Sequence, residues 1–89
     1  MSVRKRVRVH GEVQGVFFRD SVSREAESRG LAGWVRNCDD GTVEAAFEGE
    51  ADAVGELVDY CRSGPPDAQV ADVDVSEEEP EGAGGFAVR

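Results

Sequence analysis

Hydrophobic and polar positions alternate through residues 3–13, with Val7, Val9 and Val13 on one side and Arg6, Arg8, His10 and Glu12 on the other. A period of two predicts a half-buried strand with one wet face. The period then lengthens. Phe18, Val22 and Ala26 recur every four residues among Asp20, Ser23, Arg24, Glu25 and Glu27, which predicts an amphipathic helix over 18–29. Gly30 suits its end, with Leu31 closing it by an apolar contact. Residues 33–38 read as a second strand, and Asp39-Asp40-Gly41 as a hairpin turn, since Asp-Gly tolerates positive φ. Residues 42–48 form the partner strand, with Val43, Ala45 and Phe47 inward and Glu44, Ala46 and Glu48 outward. Val54, Leu57, Val58 and Cys61 stripe a helix over 51–62, which Gly64-Pro65-Pro66 ends. Residues 68–76 alternate again, with Ala71, Val73 and Val75 on one side; Val70 is out of phase and marks a bulge or a strand start. The acidic, Gly-rich residues 77–85 read as a mobile loop. Phe86 to Arg89 form a short edge strand with Phe86 and Val88 inward.

The order is strand, helix, strand, strand, helix, strand, then a short strand. Two helices on one face of an antiparallel sheet bury both stripes at once. The chain is therefore expected to be α+β, a ferredoxin-like βαββαβ sandwich with a short extra C-terminal strand, in one domain over residues 1–89. In that arrangement the first and third strands lie together at the centre and the second lies beside the third. The C-terminal end of the second strand then runs alongside the start of the first helix. Val35 and Asn37 share the helix side, so Asn37 and Arg19 are expected to face one pocket. Trp34 and Arg36 fall on the open face, where the Trp is expected to pack.

Composition narrows the function. The 89 residues suffice for one modest core. No apolar run approaches the ~20 residues of a membrane span, and no apolar segment follows the basic start as in a signal peptide, so a cytoplasmic protein is expected. Cys38 and Cys61 are expected to be free thiols in or near the core. Two cysteines and one histidine cannot complete a four-ligand Cys/His zinc site, carboxylate ligands are not clustered, and no metal is expected. His10, on the polar side of its strand, is expected to be a surface residue. Charge is uneven: residues 1–36 hold 8 Lys/Arg against 4 Asp/Glu, and residues 37–89 hold 2 against 15, which sums to the net −9. So acidic a chain is a poor partner for nucleic acid. A small anionic substrate remains compatible with the basic N-terminal part. The acidic remainder reads as a solvated surface, or as adaptation to high salt.

The candidate chemistry sits in Gly11-Glu-Val-Gln-Gly-Val-Phe-Phe-Arg19, between a strand and a helix. A helix N-terminus offers unpaired N–H groups and the positive end of the dipole, which suits phosphate. Gly15 lets the backbone approach an anion closely. Arg19, in the first turn, brings a flat fork matched to two phosphate oxygens. The plainer alternative is an ordinary strand-to-helix turn with a surface Arg. No Gly-Lys-Ser/Thr follows, so this is not a Walker loop. Asp20, beside the anion site, repels phosphate unless it points outward.

With Gly33-Trp-Val-Arg-Asn37 and the following Asp40-Gly-Thr-Val-Glu44, the Gly11–Arg19 stretch resembles the two signatures of the acylphosphatases. Gly64-Pro65-Pro66 and the terminal Phe86-x-Val88 are similar too, so the resemblance covers nearly the whole chain. It implies hydrolysis of carboxyl-phosphate anhydrides, without metal, cofactor or covalent enzyme intermediate, by a monomer acting on a small acyl phosphate. It places the phosphate cradle on Gln14, Gly15, Val16, Phe17, Phe18 and Arg19, the essential Arg on Arg19, and the water-holding Asn on Asn37. Three other functions compete. One is a carbamoyl-phosphate-handling domain like those opening hydrogenase-maturation proteins, against which stands the absence of zinc-finger cysteines after the last strand. One is an RNA-binding sheet, which would carry aromatic residues and a basic face on its central strands. The last is a phosphate-binding regulator without turnover.

Overall fold

Each apolar stripe finds a partner in the computed structural model, which describes residues 2–89. The elements are β1 (Ser2–Glu12), α1 (Phe18–Ser28), β2 (Ala32–Asn37), β3 (Val43–Glu50), α2 (Ala51–Cys61), β4 (Gln69–Glu78) and β5 (Phe86–Val88). The five strands make one sheet in the order β4-β1-β3-β2-β5. β1 is antiparallel to both β3 and β4, and β2 is antiparallel to β3. This is the ferredoxin-like α+β fold. β5, however, runs parallel to β2, so the sheet is mixed rather than wholly antiparallel.

Both helices lie on one face. Between them and the sheet, Val7, Val9, Val35, Val43 and Phe47 of the strands meet Val22, Val54 and Leu57 of the helices, all fully buried. Each such side chain contributes roughly 1.5–3 kcal/mol. Phe86 stacks on Phe47 with ring centroids 5.9 Å apart, which fixes β5 against the core. At the end of α1, Leu31 N–H donates to Ala26 O at 3.0 Å and Gly30 N–H to Glu27 O at 3.1 Å, the paired bonds of a Schellman end. After α2, Gly64 sits at φ +67 with Phe18 against it; a Cβ there would lie 2.5 Å from the Phe18 ring. Only glycine accepts both the backbone conformation and the ring.

Four expectations need correction. The open face of the sheet is only partly wet: Arg6, Arg8, His10 and Arg36 keep 37–47% of their side-chain surface exposed, but other residues there do not. Arg4, Glu44 and Glu48 are buried there, as is Trp34. Cross-strand register explains it: Arg4 stands opposite Glu48, Arg8 and Arg36 opposite Glu44, and Trp34 opposite Ala46. Arg4 donates to Glu48 and Glu78, Arg6 to Glu78 and Glu44, and Arg36 to Glu44 at 2.6–3.2 Å. The guanidinium carbons of Arg6, Arg36 and Arg89 lie 5.3, 5.8 and 4.7 Å from the Trp34 ring centre, so the indole packs under cations, as cation–π attraction favours.

Second, Ala71 does not face inward. β4 slips between the pairs His10–Asp72 and Gly11–Val70, leaving Ala71 as the extra, exposed residue of a bulge. Val70 and Val73 pack on the core instead, and Val75 is exposed. Third, residues 77–85 are not a free loop. β4 continues to Glu78, and the amides of Glu81, Gly82 and Ala83 donate to the Glu48 carboxylate at 2.8, 2.9 and 3.1 Å. Fourth, Val88 is exposed rather than inward, because β5 is an edge strand that only Phe86 fastens to the core. Both cysteines are free, Cys61 buried and Cys38 half-buried. Burial pushes the Cys61 thiol up to about 12, which keeps it neutral.

Candidate active site

Two buried side chains hold the loop between β1 and α1 at its ends, Val13 before it and Phe18 after it. Val16 packs on the core between them. Gly15 at φ 75 and Phe17 at φ 62 turn the chain. Phe17 occupies the N-cap position of α1, and no side chain caps the helix there. Among the described residues, no acceptor within the protein meets the amides of Gly15 to Arg19. Gly15, Phe17, Phe18 and Arg19 line one concavity at a helix N-terminus, the condition for holding an oxyanion.

Gln14 serves this loop differently from the expectation. Its Nε2 donates to Cys38 O at 2.7 Å and to Thr42 O at 3.0 Å. The side chain braces the loop against the β2–β3 hairpin, in which Cys38 N–H donates to Thr42 O at 2.8 Å. Asn37, the last residue of β2, is thereby held beside the loop. No hydrogen-bond partner among the described residues takes up its carboxamide.

Arg19 projects from the first turn of α1. Its Nη1 donates to the Arg89 main-chain oxygen at 3.0 Å, and no Asp or Glu side chain among the described residues pairs with it. Arg19, Asn37, Gly15 and Phe17 border one cavity of about 320 Å³, with Val13 and Phe18 at its back. Asp20 borders it too and is exposed. Of the predicted site residues, Gly15, Phe17, Phe18, Arg19 and Asn37 are therefore brought together, whereas Gln14 and Val16 turn their side chains elsewhere. His10 lies away from the cavity, with Nε2 2.9 Å from Asp74 Oδ2 on the β1–β4 edge. The Arg89 oxygen that steadies Arg19 has no signal in the sequence, since a main-chain contact across 70 positions depends only on the parallel placement of β5.

A sequence model of acylphosphatases matches residues 5–88. The chain belongs to the acylphosphatase family. It is 61% identical over 88 residues to an acylphosphatase of Rubrobacter xylanophilus, covering 96% of this chain and 80% of that one. With an acylphosphatase of Haloquadratum walsbyi it shares 56% over 86 residues, covering 97% and 92%. Its backbone resembles a solved acylphosphatase from Coxiella burnetii with TM-score 0.95 and 42% identity, covering 99% of this chain and 93% of that one. Acylphosphatases hydrolyse acyl phosphates, so the cavity of an acylphosphatase must hold a phosphoryl group, admit water on one side and release a carboxylate on the other.

Proposed function

We propose that this cavity is where the chain hydrolyses the carboxyl-phosphate bond of a small acyl phosphate. Arg19 and the amides of the 15–19 loop grip the phosphoryl oxygens, and Asn37 holds the attacking water. The observation that carries this reading is that Gly15, Phe17, Phe18 and Arg19, whose amides meet no acceptor among the described residues, line one cavity with a guanidinium that no Asp or Glu side chain there takes up and with the unbonded Asn37 carboxamide.

The chemistry suits these groups. The leaving group is a carboxylate whose conjugate acid has a pKa near ~4, so it departs without a proton donor. What the site must supply is charge stabilisation and a placed water. The guanidinium follows charge as the P–O bond loosens. Asn37 accepts from water through its side-chain oxygen and donates through its NH2, fixing one lone pair in line with phosphorus. Since a carboxamide is a poor base, the water passes its proton to a phosphoryl oxygen of the substrate. No step needs a metal or a covalent intermediate.

Release of phosphate from benzoyl phosphate, followed by loss of its ultraviolet absorbance with and without EDTA, tests the reading. Turnover unchanged by EDTA is expected. Failure to release phosphate, or a kcat/KM profile whose bell shape vanishes in His10→Ala, would overturn it. We also infer one domain over residues 1–89, acting as a cytoplasmic monomer without nucleic acid or membrane as partner. The closed core, the net charge of −9 and the free thiols support this. A single unfolding transition and a monomer mass by light scattering are the expected results.

A further inference from the structure

Phe17 has a side chain for which neither the fold nor the reaction above has a use. The residue is 73% exposed, more than any other large hydrophobic residue among those described. Its backbone, at φ 62 and ψ 25, is the one described non-glycine position in the left-handed region. An exposed ring adds little to folding, and its Cβ disfavours that conformation. Glycine would relieve the backbone at no cost to the core, because the neighbouring Phe18 does the packing. A large ring kept under those conditions calls for something outside the chain to cover it.

The cavity says what. The cavity, about 320 Å³ and open to solvent, has room for more than a phosphoryl group and can admit part of the acyl group. In-line displacement puts water and leaving group on opposite sides of phosphorus. The second basin, on the open face among Arg6, Arg36, Arg89 and Trp34, also borders Asn37. It therefore adjoins the side from which water attacks, not the side to which the carboxylate leaves. The acyl group is left with the loop wall, where Phe17 is the large exposed side chain and Asp20 the charged one.

We propose that Phe17 is the acyl-recognition residue of this site, and that with Asp20 beside it the cavity selects acyl phosphates with a flat, uncharged acyl group over those whose acyl group is small or carries a carboxylate of its own. The inference rests on the acylphosphatase reading of the cavity. It goes beyond that reading in naming the class of acyl group and the side chain that reads it.

The test compares kcat/KM for benzoyl, acetyl and succinyl phosphate in the parent, Phe17→Ala, Phe17→Tyr and Asp20→Asn proteins. Intrinsic reactivity of each substrate cancels when a variant is divided by the parent. The benzoyl-to-acetyl ratio should fall about tenfold in Phe17→Ala, mainly through KM, and stay within about twofold of the parent in Phe17→Tyr. The succinyl-to-acetyl ratio should rise about threefold in Asp20→Asn as a like charge is removed. An unchanged benzoyl-to-acetyl ratio in Phe17→Ala overturns the proposal. So does an equal loss on both substrates with weaker inhibition by inorganic phosphate, which would assign Phe17 to cradle shape alone. An unmoved succinyl ratio in Asp20→Asn overturns the charge selection. If the parent releases phosphate from none of the three, the enzyme reading fails, and this inference with it.

Discussion

The amides of Glu81, Gly82 and Ala83 converge on a carboxylate of the chain itself, that of Glu48, at 2.8–3.1 Å. The amides of Gly15 to Arg19 converge on no acceptor among the described residues. Both segments use a left-handed glycine, Gly82 at φ 72 and Gly15 at φ 75. Both stand beside an arginine: Arg4, which donates to Glu48, and Arg19, which pairs with no Asp or Glu side chain among the described residues. One backbone device thus appears twice. Where the anion belongs to the chain, the device orders a loop. Where it does not, the device is, in the function proposed above, left for a ligand. The difference lies in what the facing strand presents, since Glu48 closes one cradle and the uncharged Asn37 borders the other.

The largest expected effect comes from damaging the unfilled cradle. Arg19→Lys keeps the charge and loses the fork, so kcat/KM for benzoyl phosphate should fall about 10³-fold and inorganic phosphate should inhibit more weakly. Asn37→Ala should lower kcat by roughly 10²-fold while leaving phosphate inhibition nearly intact. Turnover at the parent rate in that variant would remove Asn37 from the water-holding role. A paired substitution then sets the two cradles against each other. At both Gly15 and Gly82 an added Cβ meets nothing within 4 Å, but the positive φ remains. Gly15→Ala and Gly82→Ala should therefore each cost about 1 kcal/mol in denaturant unfolding. Only Gly15→Ala should also weaken phosphate inhibition, by about tenfold. Equal phosphate inhibition in the two variants would break the distinction.

The smallest expected effect is on the filled cradle, and it is one of pH. Hydrogen bonding from the Glu81 amide, partly offset by desolvation, and then bonding from Arg4 hold the Glu48 carboxyl below its ordinary value. Burial pushes Glu44 and Glu78 up, but hydrogen bonds from Arg36 and Arg6 to Glu44, and from Arg4 and Arg6 to Glu78, outweigh it and leave both lowered. A carboxyl depressed in the folded state adds stability that is complete above its unfolded pKa, near ~4.3, and is lost as pH falls through the folded value. The urea midpoint should therefore hold steady from about pH 7 to 5.5 and drop below about pH 4.5. Glu48→Gln should lower the midpoint at neutral pH and flatten the acid drop. A midpoint equal to the parent's at both pH values would mean that the 81–83 turn orders itself without the charge.

The features legible in the sequence are those set by short-range periodicity. The stripes Phe18-Val22-Ala26 and Val54-Leu57-Val58-Cys61 give both helices to within one residue. The order of elements then places Asn37 near Arg19, because a ferredoxin-like topology runs the end of β2 alongside the start of α1. What escaped depends on partners far apart in the chain. The 77–85 segment has the composition of a mobile loop, yet its order comes from Glu48, 33–35 positions upstream. Outward charges on β1 and β3 read as wetted until the register sets Arg4 on Glu48 and Arg8 on Glu44. Val70 announced a break in period, but not whether Val70 or Ala71 would be the residue left over. Gln14 lies within the motif and was read as a ligand contact. Its role as a brace requires knowing that the carbonyls of Cys38 and Thr42 come within reach.

That brace links two pieces of chain that would otherwise fluctuate separately. A local opening that frees residues 13–17 must also break both Gln14 bonds to the hairpin, so the two regions open as one cooperative unit. Amide hydrogen exchange at Cys38, whose N–H donates to Thr42 O in the hairpin, should then quicken in Gln14→Ala. Rigidity at the catalytic loop would thus be inherited from a turn that never touches substrate.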